Sequence, residues 1–460
     1  MSTEHSRLSS ADAAWLHMDR PSNLMVINSV LLFDEPLDWE RLVEIVRTRL
    51  VEPYPRFRQR VVEGRLSLGG PHWEQERDFD LDRHMHRRGL PDPNDESALQ
   101  RLAGDLAAMP LDRGKPLWDM YLIDGPAPGC AVIVRMHHCI ADGIALARVM
   151  LSLTDPTPGG EQREQESPRQ PSRWGAVSAA ARLTLTVAHE GLEAVVNPRH
   201  TLELADRLAA DAQALAKLLF TPGDTPSVLK RDLGAARGVA WSRPLDLGEI
   251  KSIAHAQDAT VNDILLAAVS GALRGYLMAR GEDPHEIRTM VPFNLRPLDQ
   301  PVPRELGNRF GLVFLTLPVD RSSRRERLRE LKRRMDDIKH SPEGPVSYAV
   351  LETVGLTPPG IESRIVDVFT AKATAVMTNV PGPRETVYLA GTPMRAVLVW
   401  APTAGSVGMS VSIFSYHGEV TVGLLVHAHV VPDPQSILDR LQRELAAMAR
   451  LVPAVRTVPA

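Results

Sequence analysis

Short apolar runs that suit buried β-strands recur along this chain and alternate with segments of helical periodicity. In the first part of the sequence, these runs lie at 24–33, 118–123 and 131–136. The apolar residues with helical spacing there are Leu42, Ile45, Val46 and Leu50. They follow Asp38, whose carboxylate can cap the free N–H groups of a helix start. Because strand-like and helical patterns alternate, the first part predicts a mixed α/β domain.

The chain is also longer than a single hydrophobic core usually accommodates. It has 460 residues, of which 43% are hydrophobic and 24% are charged, and a globular chain of this size favours two domains. Residues 155–174 have little to bury, which is typical of a linker, and Ala- and Leu-rich stretches at 176–220 predict two amphipathic helices. We therefore predict an N-terminal domain at 1–154, a linker with amphipathic helices at 155–225 and a C-terminal domain at 226–460.

The C-terminal region has the signature of a second α/β unit. Its predicted helices lie at 261–278, at 324–340 and after Pro434. Its predicted strands lie at 289–293, 310–317, 373–380, 395–400, 408–414 and 420–427. The last third of the chain is therefore expected to be rich in strands.

Composition excludes several classes of protein. The formal net charge is −4, and no basic motif interleaved with aromatic residues is present, so we expect no nucleic acid partner. Cys130 and Cys139 are the only cysteines, which argues against a disulfide framework and favours a reduced cytoplasm. The first residues lack the apolar core of a signal peptide, and no apolar run reaches about 18 residues. We therefore expect neither export nor a membrane-spanning segment.

One short segment combines residue types that perform acid–base chemistry. It reads His137-His138-Cys139-Ile140-Ala141-Asp142-Gly143 and follows the strand run at 131–136. A strand end is a rigid mount, and an imidazole with an ordinary pKa near 6.5 accepts and returns a proton near neutral pH. We therefore predict His138 as the general base, with His137 beside it in the same site. Asp142 would have a structural role at the next helix start, and Gly143 would leave room for the substrate.

Other interpretations of this segment are less well supported. An isolated pair of histidines is more often a pair of core or capping residues, but four fixed residues in seven positions arise by chance with a probability on the order of 10⁻³. A metal site from His137, His138, Cys139 and Asp142 would need adjacent strand residues to face the same way, so we expect no metal. The chain also lacks a Gly-x-Ser-x-Gly elbow, a Walker phosphate loop and a His-Glu-x-x-His motif.

The His-His-x-x-x-Asp-Gly segment resembles that of the thioester-dependent acyltransferases, which include chloramphenicol acetyltransferase, plant acyltransferases and peptide-synthetase condensation domains. The resemblance is strongest to the bacterial wax ester synthase/diacylglycerol acyltransferases and extends over nearly the whole chain. The other segments that carry it are 8–18, Pro116-Leu117-Trp118, Thr260-Val261-Asn262-Asp263, 291–297, Leu306-Gly307-Asn308-Arg309, 379–383 and 415–418. Asn294, where a small hydroxyl residue is more usual, and Thr378 are mild departures.

This resemblance implies a fold and an activity. The fold would be α/β (α+β), with two chloramphenicol-acetyltransferase-like domains and a substrate tunnel between them. The activity would be direct transfer of a long-chain acyl group from acyl-coenzyme A to a long-chain alcohol or to diacylglycerol, with no cofactor. Because both lipids are apolar, we expect peripheral association with the inner membrane or lipid droplets. The helices at 176–220 either pack across the domain junction or present a face that rests on the lipid surface, and they are therefore the candidate interfacial surface.

The resemblance also suggests roles for polar residues. Asn262 would donate a hydrogen bond to the oxyanion, although Asn262 or Asp263 would equally serve to cap the helix that starts there. Arg296 would pair with the carboxylate of Asp142 across the domain interface, and Arg309 is the alternative partner.

Two further segments would shape the site. Pro116, Leu117 and Trp118 would line the acyl channel or support the catalytic segment, and Asn379 would lie in a rigid turn beside the cleft. Their alternative role is purely architectural.

Two other functions stay open at this point. The first is the same chemistry with a carrier-protein donor or another acceptor, although the chain has no pantetheine attachment motif of the Gly-Gly-x-Ser type. The second is a non-catalytic lipid-surface protein, against which the intact His138, Asp142 and Gly143 argue.

Overall fold

The computed structural model describes residues 6–63, 70–93, 95–125, 128–160, 213–218, 220–295, 302–339, 341–354 and 359–450. Its strands are β1 (Ser6–Arg7), β2 (Val26–Phe33), β3 (Gln59–Val62), β4 (His72–Gln75), β5 (Met85–Gly89), β6 (Trp118–Asp124), β7 (Cys130–His137), β8 (Arg237–Trp241), β9 (Leu245–Asp246), β10 (Ile287–Asn294), β11 (Phe310–Leu317), β12 (Ala375–Pro381), β13 (Tyr388–Leu389), β14 (Thr392–Trp400), β15 (Met409–Tyr416) and β16 (Glu419–His427).

Its helices are α1 (Ser10–His17), α2 (Trp39–Val46), α3 (Glu96–Ala107), α4 (Gly143–Ser152), α5 (Leu247–Ala256), α6 (Val261–Ala279), α7 (Arg324–Lys339), α8 (Glu343–Val354), α9 (Pro359–Thr370) and α10 (Pro434–Ala449). Residues 213–218 are also helical.

The first sheet has the strand order β13-β14-β2-β7-β6-β5. Its central strands, β2 and β7, are buried along their whole length, because both faces of the sheet are covered. One face packs against α1, α2 and α4, and the other packs against α3 and the end of β8. The apolar runs of β2 and β7 therefore form the centre of this half of the molecule.

The second sheet has the order β11-β10-β12-β15-β16-β8, with β9 paired to β16. Strands β10, β12 and β15 run parallel to one another, and the remaining pairs are antiparallel. Helices α5, α6, α7 and α10 cover the face that holds the largest core of this half. A third, small sheet of β1, β4 and β3 lies near α1 in the chain.

Strand β14 links the two halves of the molecule. It follows β13 in the C-terminal part of the sequence but pairs antiparallel with β2 of the first sheet, from Trp400 opposite Asn28 to Met394 opposite Phe33. Both sheets therefore depend on residues beyond 226. The pairing of β14 with β2 does not decide where the domains begin and end, so the boundaries at 154 and 225 stay a prediction.

Most predicted elements are confirmed with small shifts at their ends. The strands predicted at 118–123, 131–136 and 310–317 correspond to β6, β7 and β11, and the helices predicted at 261–278 and 324–340 correspond to α6 and α7. Three of the predictions fall on residues that the structure does not describe. They concern most of 155–174, most of 176–220, and Arg296.

Candidate active site

The predicted strand-to-helix context of the histidine motif is present. Strand β7 ends at His137, and α4 begins at Gly143 after a tight turn. Asp142 caps α4, because its Oδ1 accepts a hydrogen bond from the backbone N–H of Ala145 at 2.8 Å. Its Oδ2 accepts from the backbone N–H of Arg309 at 3.1 Å. The motif thereby contacts the start of β11 in the C-terminal half.

His138 is held through its backbone and enclosed by aromatic rings. Its N–H donates to the carbonyl of Met25 at 2.7 Å, and its own carbonyl accepts from Nδ2 of Asn308 at 2.8 Å. The imidazole stacks on Trp15 with a centroid distance of 4.2 Å and lies 5.4 Å from the ring of Phe310. Ring rotation is therefore restricted on both sides.

The same enclosure changes the acid–base behaviour of His138. Its side chain is only 4% exposed, and burial lowers the pKa of His138 to about 4, because desolvation of the imidazolium outweighs the attraction of the Asp142 carboxylate. Among the residues that the structure describes, no group hydrogen bonds to Nδ1. A neutral imidazole of this kind is a proton acceptor at physiological pH.

His137 points into a different environment. Its backbone N–H donates to the carbonyl of Leu117 at 2.9 Å, and its Nδ1 accepts from the backbone N–H of Cys139 at 3.1 Å. Its Nε2 lies 3.7 Å from the carboxylate of Asp19, and the interaction with His137 helps to lower the pKa of Asp19 against the opposing effect of burial. These contacts fix the turn that carries His138.

Three buried polar side chains, Asp12, Arg56 and Asn308, hold the carbonyl groups of this turn, and we call them the carbonyl clamp. Arg56 donates from Nη1 to the carbonyls of Cys139 and Ile140 at 3.1 and 2.7 Å. Its Nη2 donates to Oδ2 of Asp12 at 3.0 Å. The positive charge of Arg56 is therefore neutralised within the protein interior.

Asn308 completes the carbonyl clamp from the C-terminal half. Its Nδ2 donates to Oδ1 of Asp12 and to the carbonyl of His138, both at 2.8 Å. The preceding turn places Leu306 and Gly307 at φ values of 53° and 97°, in the left-handed region, and the N–H of Gly307 bonds to the carbonyl of Ile140 at 3.1 Å. The turn thus joins the two halves directly beneath the motif.

Sequence reasoning assigned no role to the carbonyl clamp. Asp12 and Asn308 lie within the segments 8–18 and 306–309 that carry the family resemblance, so a signal was present for both. For Arg56 the sequence offers no signal, because nothing local marks one arginine among many as buried.

The segment Pro116-Leu117-Trp118 lies behind the motif. The carbonyl of Leu117 accepts a hydrogen bond from the backbone N–H of His137. Trp118 donates from Nε1 to the carbonyl of Phe57 at 3.0 Å, and its ring stacks on that of His84 with a centroid distance of 4.5 Å. These contacts are consistent with a segment that supports the catalytic motif. A role of this segment in an acyl channel stays a prediction.

The polar residues predicted near 262 and 379 come together. Nδ2 of Asn379 donates to Oδ1 of Asn262 at 2.7 Å. Asp263 and Thr260 form a reciprocal capping box at the start of α6, with N···O distances of 2.9 and 3.1 Å. Asn262 is thus connected to the site through Asn379, and its role as an oxyanion donor stays a prediction.

Two cavities meet at His138. The central cavity is lined by His138, Asp142, Gly143, Asn294 and Asn379 among others. A second cavity extends between α8, α9 and β10 and has an almost wholly apolar wall. His138, Pro292, Phe310 and Ala401 line both of them. The imidazole therefore stands where two compartments join.

In the described ranges, no three His, Cys, Asp or Glu side chains are grouped so that they could hold a metal ion. Cys130 and Cys139 are buried thiols, and burial raises the pKa of Cys130 to about 11. None of the helices described has the length and apolar character needed to cross a membrane.

Comparison with protein families decides the assignment. The wax ester synthase/diacylglycerol acyltransferase catalytic domain matches residues 8–265, and the C-terminal domain of the same family matches residues 306–449. The chain belongs to this family. It is accordingly an acyltransferase that transfers an acyl group to an acceptor, as the motif predicted.

Individual proteins are similar in sequence to this member of the wax ester synthase/diacylglycerol acyltransferase family along nearly its whole length. A Mycobacterium tuberculosis protein named as a probable diacylglycerol O-acyltransferase is 28% identical, with 97% of this chain and 95% of that protein covered. A Mycobacterium bovis protein, named as a candidate for the same activity, has the same identity and coverage.

Solved structures confirm the predicted fold class. The wax ester synthase/diacylglycerol acyltransferase of Marinobacter aquaeolei VT8 has a TM-score of 0.69 and 20% identity, with 97% of this chain and 99% of that chain covered. The first condensation domain of a calcium-dependent antibiotic synthetase has a TM-score of 0.59 and 16% identity, with 98% and 97% covered. The two-domain architecture related to chloramphenicol acetyltransferase is therefore shared.

Proposed function

We propose that this acyltransferase moves a long-chain acyl group from acyl-coenzyme A to a lipid hydroxyl, with His138 as the general base. The observation that carries the proposal is the position of a neutral, buried imidazole at the junction of two cavities. One apolar compartment suits one hydrocarbon chain, and two compartments that meet at a base suit two lipid substrates that react with each other.

In the proposed reaction, the imidazole of His138 accepts the proton of the acceptor hydroxyl as its oxygen attacks the thioester carbonyl carbon. The tetrahedral intermediate then collapses, the carbon–sulfur bond breaks, and the leaving thiolate receives the proton from the imidazolium. The Asp142 carboxylate favours the imidazolium electrostatically. An ester and free coenzyme A result, and the chain needs no covalent acyl-enzyme and no cofactor.

The oxyanion of the intermediate needs a donor, for which Asn262 is our candidate. Its hydrogen bond to Asn379, which lines the central cavity, supports the assignment because that bond orients its amide group at the edge of the site. A single donor of this kind typically contributes about 10² to 10³ in rate. Arg296 or Arg309 would complete the surroundings of Asp142.

We favour diacylglycerol as the acceptor and keep a long-chain alcohol as the alternative. The mycobacterial relatives that cover almost the whole chain are named for diacylglycerol, which supports this order. A carrier-protein donor is the other alternative, because condensation domains share the fold.

We further propose that the protein works in the cytoplasm at the surface of the inner membrane or of lipid droplets. Both substrates are apolar, which supports contact with a lipid surface. The segment 176–220 remains the candidate docking region.

The function is tested by supplying purified protein with palmitoyl-coenzyme A and, in separate reactions, dioleoylglycerol or hexadecanol. We expect acceptor-dependent release of coenzyme A and formation of triacylglycerol, with a wax ester if the site also takes alcohols. No release with either acceptor, but transfer from an acylated carrier protein, would replace the coenzyme A donor. No transfer from any donor would reject the enzymatic proposal for these acceptors.

A further inference from the structure

A third cavity lies beneath α4, next to the central cavity but away from His138. It lies between α4 and the strands β2, β7, β14 and β15. It shares the side chains of Ile27, Ala147 and Val399 with the central cavity. We call it the α4 cavity. It has no assigned ligand, and the proposed reaction does not use it.

The α4 cavity leads away from the reacting centre along two elements. On α4, the lining passes from Leu146 to Leu151, a distance of about 8 Å at the helical rise, and it continues to Thr154 just beyond the helix. On β2 it passes from Ile27 to Leu31, about 13 Å at the rise of a strand. The cavity is therefore elongated, and its near end, at Ala147, is one helical turn from Gly143.

The chemistry of the wall selects a hydrocarbon. No charged side chain lines the α4 cavity within the described part of the chain. The two hydroxyl groups in the wall are already used, since Ser29 donates to the carbonyl of Val134 at 3.5 Å and Thr154 donates to the carbonyl of Leu151 at 2.7 Å. A polar ligand would lose its hydrogen bonds with water there and could regain few, because the wall offers it only the two hydroxyl oxygens as acceptors.

Core packing supports a ligand-filled space. Protein interiors are close-packed, and an apolar void beneath a core helix lowers stability unless something fills it. Three methionines, Met136, Met150 and Met394, contribute to this wall, and their unbranched side chains adapt to a flexible occupant.

We propose that the α4 cavity binds the distal part of the hydrocarbon chain of a substrate that reacts at His138, and that Ala147 is the gate to it. This inference rests on the proposed function. Ala147 is the residue of α4 that touches both cavities and has the smallest side chain that still carries a Cβ. A larger side chain there separates the two spaces.

The test is the chain-length profile of Ala147→Leu. We expect kcat/KM for palmitoyl chains to fall on the order of 100-fold relative to hexanoyl chains, because each excluded methylene costs roughly fourfold. Donor length is varied with dioleoylglycerol as fixed acceptor, and alcohol length is varied with palmitoyl-coenzyme A as fixed donor. A selective loss in the first series assigns the cavity to the acyl chain, and one in the second series assigns it to the alcohol.

A deeper pair of variants covers the possibility that Ala147→Leu does not fold. Met150→Phe reduces the space beyond the gate, whereas Met150→Leu nearly conserves its volume and is the matched control. We expect Met150→Phe to shift the optimum to shorter chains and Met150→Leu to retain it. The proposal is overturned if folded Ala147→Leu or Met150→Phe protein keeps the wild-type ratio of long-chain to short-chain activity in both the donor series and the alcohol series.

A binding measurement separates this proposal from the proposed function. We expect palmitoyl-coenzyme A to raise the thermal midpoint of the wild-type protein more than hexanoyl-coenzyme A does if the cavity takes the acyl chain, and hexadecanol to exceed hexanol if it takes the alcohol. Ala147→Leu should remove that difference. If the wild type has no transferase activity but this pattern is found, the cavity assignment stands and the catalytic proposal fails. If neither ligand pair gives a length-dependent shift, the cavity assignment fails.

Discussion

At the scale of single residues, the account depends on the surroundings of His138. Trp15 and Phe310 remove water from the imidazole, and the backbone contacts to Met25 and Asn308 fix its position. Desolvation favours the neutral ring, whereas Asp142 favours the charged one, and desolvation prevails. The imidazole that we propose as the base is therefore neutral and can accept a proton without a prior change in its protonation state.

The low pKa of His138, at about 4, predicts the pH dependence of catalysis. Because the base must be neutral, activity is lost only as the pH falls through that pKa. We expect kcat/KM to change little between about pH 8 and pH 5.5, whereas a histidine with an ordinary pKa near 6.5 would cause a loss of about tenfold. A midpoint close to 6.5 in folded protein would contradict the buried, desolvated state of the ring.

The carbonyl clamp gives a second prediction at this scale. Asn308→Ala removes the side-chain amide that donates to Asp12 and to the His138 carbonyl, and should lower the free energy of unfolding by about 1.5–3 kcal/mol. Asn308→Asp should lower it further, because a second carboxylate would face Asp12 and a carbonyl oxygen. Urea denaturation gives both values, and an Asp variant more stable than the Ala variant would be inconsistent with the clamp.

Residue roles could be predicted from the sequence only where a local pattern marks them. The motif predicts His138 as the base, and the helix start predicts a structural role for Asp142, whose carboxylate caps α4. An arginine side chain as the partner of Asp142 stays a prediction. The sequence did not indicate that one oxygen of Asp142 accepts from the backbone N–H of Arg309. Backbone contacts of this kind, and the meeting of Asp12, Arg56 and Asn308, depend on tertiary structure that no local pattern encodes.

At the scale of elements, α1 connects the site with the wall of the second cavity. Asp12 belongs to the carbonyl clamp, Trp15 stacks on His138, and His17 contacts Glu362 of α9. Helix α9 in turn lines the second cavity. One short helix therefore contacts both the proposed base and the helix that lines the second cavity.

The contact between α1 and α9 predicts a pH-dependent stability. His17 Nδ1 lies 2.9 Å from Glu362, and this hydrogen bond raises the pKa of His17 despite burial, with Glu63 adding to the rise and Arg113 opposing it. A raised pKa means that the stabilisation is complete below the unfolded value near 6.5 and disappears as the pH rises through the folded value. His17→Gln should therefore lower the thermal midpoint more at about pH 5.5 than at about pH 9.

A matched control is available on the same pair of helices. Arg20 lies just beyond α1 and pairs with Asp367 of α9 at 2.8 Å. Arg20→Gln should lower the midpoint by the same amount at both pH values, since arginine stays charged throughout. An equal effect of His17→Gln at both pH values would show that the histidine does not stabilise the contact through its charge.

Elements were predictable where burial imposes a simple pattern. Strand β7 of the first sheet and strand β11 of the second are largely buried and mostly apolar, and α6 and α7 have clear helical periodicity. The pairing partner of β14 was not predictable. Its sequence indicates a strand but contains nothing that specifies β2, which is more than 350 residues earlier, as its neighbour.

At the scale of the whole molecule, the two halves are interdependent. Strand β14 completes the first sheet, and the 306–309 turn closes the carbonyl clamp beneath the motif. The second cavity also has walls from both halves, with Trp15 on one side and α8 and α9 on the other. Neither half alone contains a complete site.

This interdependence predicts the behaviour of fragments. A fragment that ends at residue 160 lacks β14 and leaves the buried edge of β2 unpaired, which favours aggregation. We expect this fragment to be insoluble alone and soluble when residues 161–460 are coexpressed with it. A soluble 1–160 fragment with cooperative thermal unfolding would contradict the prediction.

The most direct test of the central claim compares His138→Ala with His137→Gln in the transfer of palmitate from palmitoyl-coenzyme A to dioleoylglycerol. General-base catalysis by His138 predicts that His138→Ala lowers kcat by about 10² to 10⁴, whereas His137→Gln mainly lowers thermal stability and keeps most of the turnover. If folded His138→Ala retains activity within about tenfold of the wild type, or if both variants lose activity equally, His138 is not the base that this account requires.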